Sequence, residues 1–199
     1  MKVKIKKEGK VETFKLINSW SDVTLETWLQ LIDFETGTKT EEATETIAAL
    51  SDIPKKLIKE LSLSDVAVIM SKVGELQTKQ DTKLKRIITI NDIEYGFHPD
   101  LDSISLGEYA DIEQFIKNGI DKQLPELMSV LYRPVKLKKN DIYIIDSYDG
   151  DIRLRAEEMK QMSAEQVQSA LVFFYTLGKV LSEIMPLYLM ERLKETKTQ

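Results

Sequence analysis

The residues of this chain that could bind a metal ion are concentrated in one acidic stretch, which contains Asp146, Asp149 and Asp151. Clustered carboxylates suit a hard cation such as Ca²⁺ or Mg²⁺. The spacing does not match an EF-hand loop, because residues 148 and 150, two of the positions that should carry ligand side chains when counted from Asp146, are tyrosine and glycine. We therefore favour an acidic turn with an aspartate at a helix N-cap. A divalent-metal-binding module or a metal-assisted enzyme built on this loop remains the alternative.

Other kinds of reactive site are limited by the composition of the chain. His98 is the only histidine and cysteine is absent, which excludes multi-histidine metal sites and thiolate chemistry. The eight glycines form neither a phosphate-binding loop nor a nucleophile-elbow motif. We expect no catalytic residue and no cofactor, and hence a protein that is not an enzyme.

The charge balance argues against nucleic acid and membranes as general partners. The net charge is -5 and the pI is about 5.2. The apolar residues 170–190 are interrupted by Lys179 and Glu183, so we expect no membrane span. Two lysine-rich stretches lack interleaved aromatic residues, which favours solvated loops or protected edge strands over a nucleic-acid accessory protein, the remaining alternative. These stretches comprise Lys2, Lys4, Lys6, Lys7 and Lys10, and Lys136, Lys138 and Lys139.

Local patterns in the first half predict a β-hairpin followed by short helices. Apolar and polar residues alternate over residues 2–6 and 12–16, with a turn between them. Thr24 is placed to cap an amphipathic helix. The predicted helices cover residues 25–34, 40–50 and 55–61, and a fourth begins at residue 64.

Patterns in the second half predict another hairpin and more helices. Residues 87–90 and 93–97 flank Asn91 and Asp92, a two-residue spacing that suits a tight turn. Ser105 and Glu108 form a capping box at the start of a helix. The remaining predicted segments are a helix from Pro125 to Tyr132 that Pro134 ends, a basic loop over 136–140, a strand over 142–145 and a helix over 152–162.

The last part of the chain, residues 163–193, predicts one long helix that is apolar round most of its circumference. Ser163 and Gln166 supply its capping box, and Pro186 predicts a bend or break. Before Pro186 the helix is interpreted as core, with packing on another subunit as the alternative. Beyond it we expect an exposed arm. The candidate protein-contact residues are Leu187, Tyr188, Met190 and Leu193 in this arm, together with Tyr132 and Arg133.

These elements together predict an α+β fold, mainly α, with a helical bundle around the long C-terminal helix and one or two small β-hairpins. We expect residues 1–77 to form an N-terminal hairpin with small helices. Residues 86–199 are expected to form the second hairpin and the bundle, with a linker at about 78–85. One compact domain is the alternative.

Three segments of the second half resemble a family of viral proteins. They are YGFHPD at 95–100 leading into ISLGEYAD at 104–111, LMSVLYRP at 127–134, and the apolar final helix. In series they are similar to small virion structural or assembly proteins of tailed bacteriophages, of the tail-assembly-chaperone kind. The resemblance implies an α-rich, non-enzymatic protein that acts through protein contacts in or on a viral particle.

We therefore expect a non-enzymatic virion structural or assembly protein. Its partners would be other virion or assembly proteins, including further copies of itself, with nucleic acid and membrane not among them. The expected location is the host cytoplasm during assembly, with the virion as the further option. The edge of the N-terminal hairpin, which could accept a neighbouring strand, and the final helix are its expected working surfaces.

Overall fold

The computed structural model describes residues 1–7, 10–34, 37–77 and 83–173 of the 199-residue chain. Within these ranges the fold is mixed α+β, with a two-stranded and a four-stranded antiparallel sheet among helices. No helix within them has the length and apolarity needed to cross a membrane.

The first half follows the predicted order of a hairpin and then helices. Strands β1 and β2 pair in antiparallel register, and Thr24 caps α1 because its hydroxyl accepts a hydrogen bond from the Thr27 amide at 3.2 Å. Thr38 and Glu41 form a capping box at the start of α2. The bounds are β1 Lys2–Lys7, β2 Lys10–Lys15, α1 Leu25–Phe34, α2 Lys39–Leu50, α3 Lys55–Ile58 and α4 Leu63–Gln77.

The second half contains the larger sheet and the remaining helices. The strand order is β3-β4-β5-β6, and each neighbouring pair is antiparallel. The bounds are β3 Ile87–Ile90, β4 Ile93–Phe97, α5 Leu106–Lys117, α6 Leu124–Leu131, β5 Tyr132–Lys139, β6 Ile142–Ile145 and α7 Arg153–Met159. A further helix, α8, is described over residues 164–173.

The predicted tight turn between β3 and β4 is confirmed. Asn91 and Asp92 both adopt positive φ, 48° and 63°. These values suit a type I′ turn, whose twist matches that of the flanking strands. Asparagine and aspartate tolerate this backbone region better than other residues with a β-carbon.

The predicted mainly-α bundle with one or two small hairpins is wrong, because the second half contains a four-stranded sheet. The prediction missed β5, since Pro134 was interpreted only as the end of a helix and residues 136–140 as a basic loop. In the structure the α6 helix ends at Leu131, and the chain continues directly as a strand from Tyr132 to Lys139. That strand joins β6 to the β3–β4 hairpin.

Pro134 lies inside this sheet although proline usually disrupts a central strand. The register pairs Gly96 with Arg133, and the His98 amide bonds to the Leu131 carbonyl, so these residues direct their backbone groups between β4 and β5. Pro134 therefore faces β6, where its carbonyl accepts a hydrogen bond from Asp146. Proline has no amide hydrogen to donate, but the residue opposite it, Asp146, lies just beyond the end of β6. No hydrogen bond between β5 and a residue of β6 is therefore lost.

Two apolar cores lie in contact along the start of α8. Ala164 belongs to a first core formed mainly by β1, α2 and α4, whereas Val167 and Ala170 belong to a second core on the larger sheet. Two backbone hydrogen bonds of 2.7 Å join the start of α8 to the start of α1. The Leu25 amide donates to the Met162 carbonyl, and the Ala164 amide donates to the Val23 carbonyl. Helix α1 also links the two cores, because its Leu25 belongs to the second core and its Trp28 packs against both.

The start of α8 has the predicted capping box, since Ser163 and Gln166 bond to each other's backbone amides at 3.3 Å. Residues 174–199 lie outside the described ranges. The predicted bend at Pro186 and the expected arm beyond it therefore also lie outside these ranges.

Gly96 in β4 permits the close packing of an aromatic ring on the sheet. A β-carbon at this position would lie 2.6 Å from the Tyr143 ring and 2.8 Å from Ile145. The Tyr143 hydroxyl donates to the Phe97 carbonyl at 2.6 Å, which holds the ring in place. The ring cannot swing away without losing this bond.

We expect Gly96→Ala to destabilise the fold by about 1–3 kcal/mol, because the added methyl overlaps a fixed ring. Gly74→Ala is the matched control, since its new β-carbon would meet no other part of the described protein within 4 Å beyond its own stretch of helix. That substitution should stabilise α4 by about 0.5–1 kcal/mol. Urea unfolding of both variants measures the difference, and equal stabilities would contradict the packing described.

Candidate functional site

The most strongly ionic feature of the described protein is a buried cluster centred on Glu108 in α5. Ser105 and Glu108 form the predicted capping box at the start of this helix. Glu108 Oε2 accepts hydrogen bonds from the Ser105 amide at 2.8 Å and from the Ser105 hydroxyl at 2.5 Å. These bonds fix the carboxylate against the first turn of the helix.

The second carboxylate oxygen of Glu108 faces two basic side chains from the sheet. Arg133 Nη1 lies 2.7 Å from Glu108 Oε1, and His98 Nε2 lies 3.5 Å from the same atom. The residues are only 4% exposed for Glu108, 4% for Arg133 and 8% for His98. The sequence singled out each of these residues separately but gave no sign that they meet.

The pairing of β4 with β5 explains how the basic residues meet. Arg133 lies opposite Gly96, and His98 lies opposite Leu131, so the two basic residues are next to each other across the sheet. Both residues belong to hydrogen-bonded cross-strand pairs, which recur every second residue. Their side chains therefore project from the same face of the sheet. Helix α5 packs its capped end over that face.

Tyr148 covers the arginine from the loop after β6. The Arg133 guanidinium carbon lies 5.8 Å from the centre of the Tyr148 ring, within cation–π range. The Tyr148 hydroxyl donates a hydrogen bond to Asp111 of α5. The loop, the helix and the sheet are thus joined by polar contacts around one arginine.

The electrostatics favour an ionised Glu108 and a neutral His98. Burial opposes ionisation of Glu108, but the Ser105 hydrogen bonds and the Arg133 charge outweigh it and lower the pKa of the carboxyl. Burial lowers the pKa of His98 below its usual value, although Glu108 acts in the opposite direction. Near neutral pH the cluster therefore holds one negative and one positive charge.

This geometry is suited to holding α5 on the sheet rather than to catalysis. Arg133 and Glu108 form a close ion pair, with Nη1 and Oε1 2.7 Å apart. All three side chains are enclosed, and the carboxylate is already bonded to Ser105. A substrate would have to displace these contacts to reach the carboxylate.

The three acidic residues of the predicted metal loop are each paired with a different basic side chain. Asp146 lies 3.0 Å from Lys136, Asp149 lies 3.3 Å from Arg155, and Asp151 lies 3.6 Å from Arg153. Across the described ranges, no group of three or more potential ligands is arranged to hold a metal ion. In the structure the three carboxylates are therefore each neutralised by a separate lysine or arginine side chain.

The candidate contact residues fall in two different places. Tyr132 is fully buried, with its hydroxyl bonded to the Lys85 carbonyl at 2.8 Å, and Arg133 belongs to the enclosed cluster. Neither side chain is presented to a partner in this fold. The other candidates, Leu187, Tyr188, Met190 and Leu193, lie outside the described residues.

Sequence reasoning missed an apolar surface at the far end of β5 and β6, which we call the apolar sheet end. Leu137 and Ile144 are register partners, and Ile142 lies two positions from Ile144 on the same face. They are 67%, 55% and 77% exposed, respectively. The alternation within residues 142–145 was a usable signal, but the missed β5 hid the position of Leu137.

Comparison of the chain with protein-family models, with curated proteins and with solved structures finds no significant match.

We expect Arg133→Met to destabilise the fold by about 3–5 kcal/mol near neutral pH, because it leaves the Glu108 charge buried without its partner. The deficit should be smaller at pH 4, because without Arg133 the effect of burial is less opposed and Glu108 of the variant takes up a proton more readily. Arg153→Met is the control, since this arginine is 90% exposed and should tolerate the change. Urea unfolding at both pH values measures the effect, and equal behaviour of the variants would contradict it.

His98 should make the protein less stable as the pH falls. Its folded-state pKa is lowered, so below about 6.5 the unfolded chain binds the proton more readily and the free energy of unfolding decreases. His98→Gln should remove this loss between pH 7.0 and 5.5. Because His98 is the only histidine, urea unfolding over this interval isolates it. An unchanged pH dependence in the variant would contradict the assignment.

Proposed function

We propose that this protein is a non-enzymatic structural or assembly protein of a tailed bacteriophage that acts through contacts with other proteins. The observation that carries the proposal is the apolar sheet end formed by Leu137, Ile142 and Ile144. Three exposed apolar side chains grouped on one sheet face are unfavourable in water. Covering them with a partner lowers the free energy.

The distribution of ionisable groups supports contact over catalysis. The strongest ionic cluster, around Glu108, is enclosed and bonded internally. The acidic loop after β6 has its carboxylates paired with lysine and arginine. The Glu108 cluster is enclosed, whereas a general acid or base must reach a substrate.

The phage assignment rests on the sequence resemblance over the second half. Residues 95–100, 104–111 and 127–134 and the apolar final helix carry it, and the first three segments lie in β4, α5, and α6 with β5. These elements meet around the Glu108 cluster, so the similar segments belong to one packed unit. The proposed partners are virion or assembly proteins and further copies of the chain, met in the host cytoplasm during assembly or in the virion.

We expect light scattering to give an average mass that rises above that of the monomer as the protein concentration increases. Ile142→Lys should suppress the increase, because a charge would have to be buried in the contact. Leu154→Lys is the matched control, since Leu154 is equally apolar and 79% exposed but lies in α7.

A strictly monomeric wild-type protein would remove the support for self-association. The phage assignment has its own test, in the genes that flank this one. Capsid, portal or terminase genes there would support it, and a metabolic operon would contradict it.

A further inference from the structure

The outer edge of β1 is an unpaired strand edge that carries lysines. The Leu16 amide donates to the Met1 carbonyl at 2.8 Å, which fixes the alternation of the hairpin. Val3 and Ile5 therefore exchange hydrogen bonds with β2, and Lys2, Lys4 and Lys6 direct their amides and carbonyls away from it. Outside the hairpin, these backbone groups have no hydrogen bond to the described residues.

A groove runs beside this edge, between β1 and helices α3 and α4. Its volume is about 490 Å³, and its lining combines the backbone edge with apolar side chains, Leu57, Leu61 and Val68, and with charged ones, Glu60, Asp65 and Lys72. Val68 is 56% exposed, so part of the groove wall is apolar and open to solvent. An added strand would lie about 4.8 Å from β1.

The charges around the edge determine what kind of strand it can accept. Lys2, Lys4 and Lys6 are exposed and form no ion pair with any described residue. Lys2 also faces Lys15 across the hairpin, which concentrates positive charge on the exposed face. A second copy of β1 would bring lysine against lysine, which is unfavourable for directly opposed residues.

We propose that the β1 edge and its groove bind an extended acidic segment of a partner protein as an additional strand. Acidic residues at alternate positions would face Lys2, Lys4 and Lys6, and the apolar residues between them would pack toward Val68. The backbone groups of the three lysine residues would supply the pairing. The inference rests on the proposed protein-contact function but concerns a surface separate from the apolar sheet end.

Binding of a short labelled peptide with alternating glutamate and valine, followed by fluorescence anisotropy with the full chain, tests the proposal. A peptide with lysine in place of glutamate should not bind. Lys4→Glu should weaken binding of the acidic peptide by roughly fivefold or more, because it replaces attraction by repulsion. Lys122→Glu, at an exposed lysine in the second half, is the matched control and should bind as the wild type does.

Two N-methylated forms of the acidic peptide separate strand pairing from simple charge attraction. Each form carries methyl groups on alternate amides, in opposite phase, so only one form blocks the edge that faces β1. We expect that form to lose binding and the other to retain it. Equal binding of both forms would overturn the proposal.

Other outcomes would also overturn it. These are no binding of the acidic peptide, an equal loss in the Lys4→Glu and Lys122→Glu variants, or single-stranded DNA that binds more tightly than the peptide. The last result would point to phosphate recognition by the lysines. Light scattering with Ile142→Lys tests the other surface, so failure of the strand-pairing proposal leaves the self-association result to be judged separately.

Discussion

A single buried carboxylate, that of Glu108, ties the start of α5 to the larger sheet. One of its oxygens closes the first turn of α5 through Ser105, and the other neutralises Arg133 on β5. An enclosed arginine without a counter-ion would be strongly destabilising. The start of α5 therefore holds Arg133 in place on the sheet. Arg133 in turn contacts Tyr148 in the loop after β6. The position of Glu108 explains why His98 and Arg133 are buried beside it.

The sheet on which this cluster lies depends on two residues that ordinarily weaken strands. Gly96 leaves room for the Tyr143 ring, and Pro134 lies where β6 no longer needs a donor. Gly96 lacks a side chain, and Pro134 lacks an amide hydrogen. The neighbouring elements are arranged so that neither loss leaves a gap or an unsatisfied carbonyl of β6.

The sequence predicted elements whose determinants are local. The hairpin turn at Asn91 and Asp92, the capping boxes at Ser105 and Ser163, and the strand over 142–145 depend on residues within a few positions of each other. It could not predict β5, because its strand character comes from pairing with β4 at a distance along the chain. The Glu108 cluster was missed for the same reason, although its capping role was visible. The apolar sheet end depends on the missed strand and was therefore also hidden.

The first turn of α8 has a mechanical consequence. Ala164 is anchored in one core and Val167 in the other, and less than one helical turn separates them. A load applied to the chain beyond residue 173 would reach both cores through this turn, together with the backbone bonds to Val23 and Leu25. The two cores therefore cannot separate at this turn without exposing Ala164 or Val167.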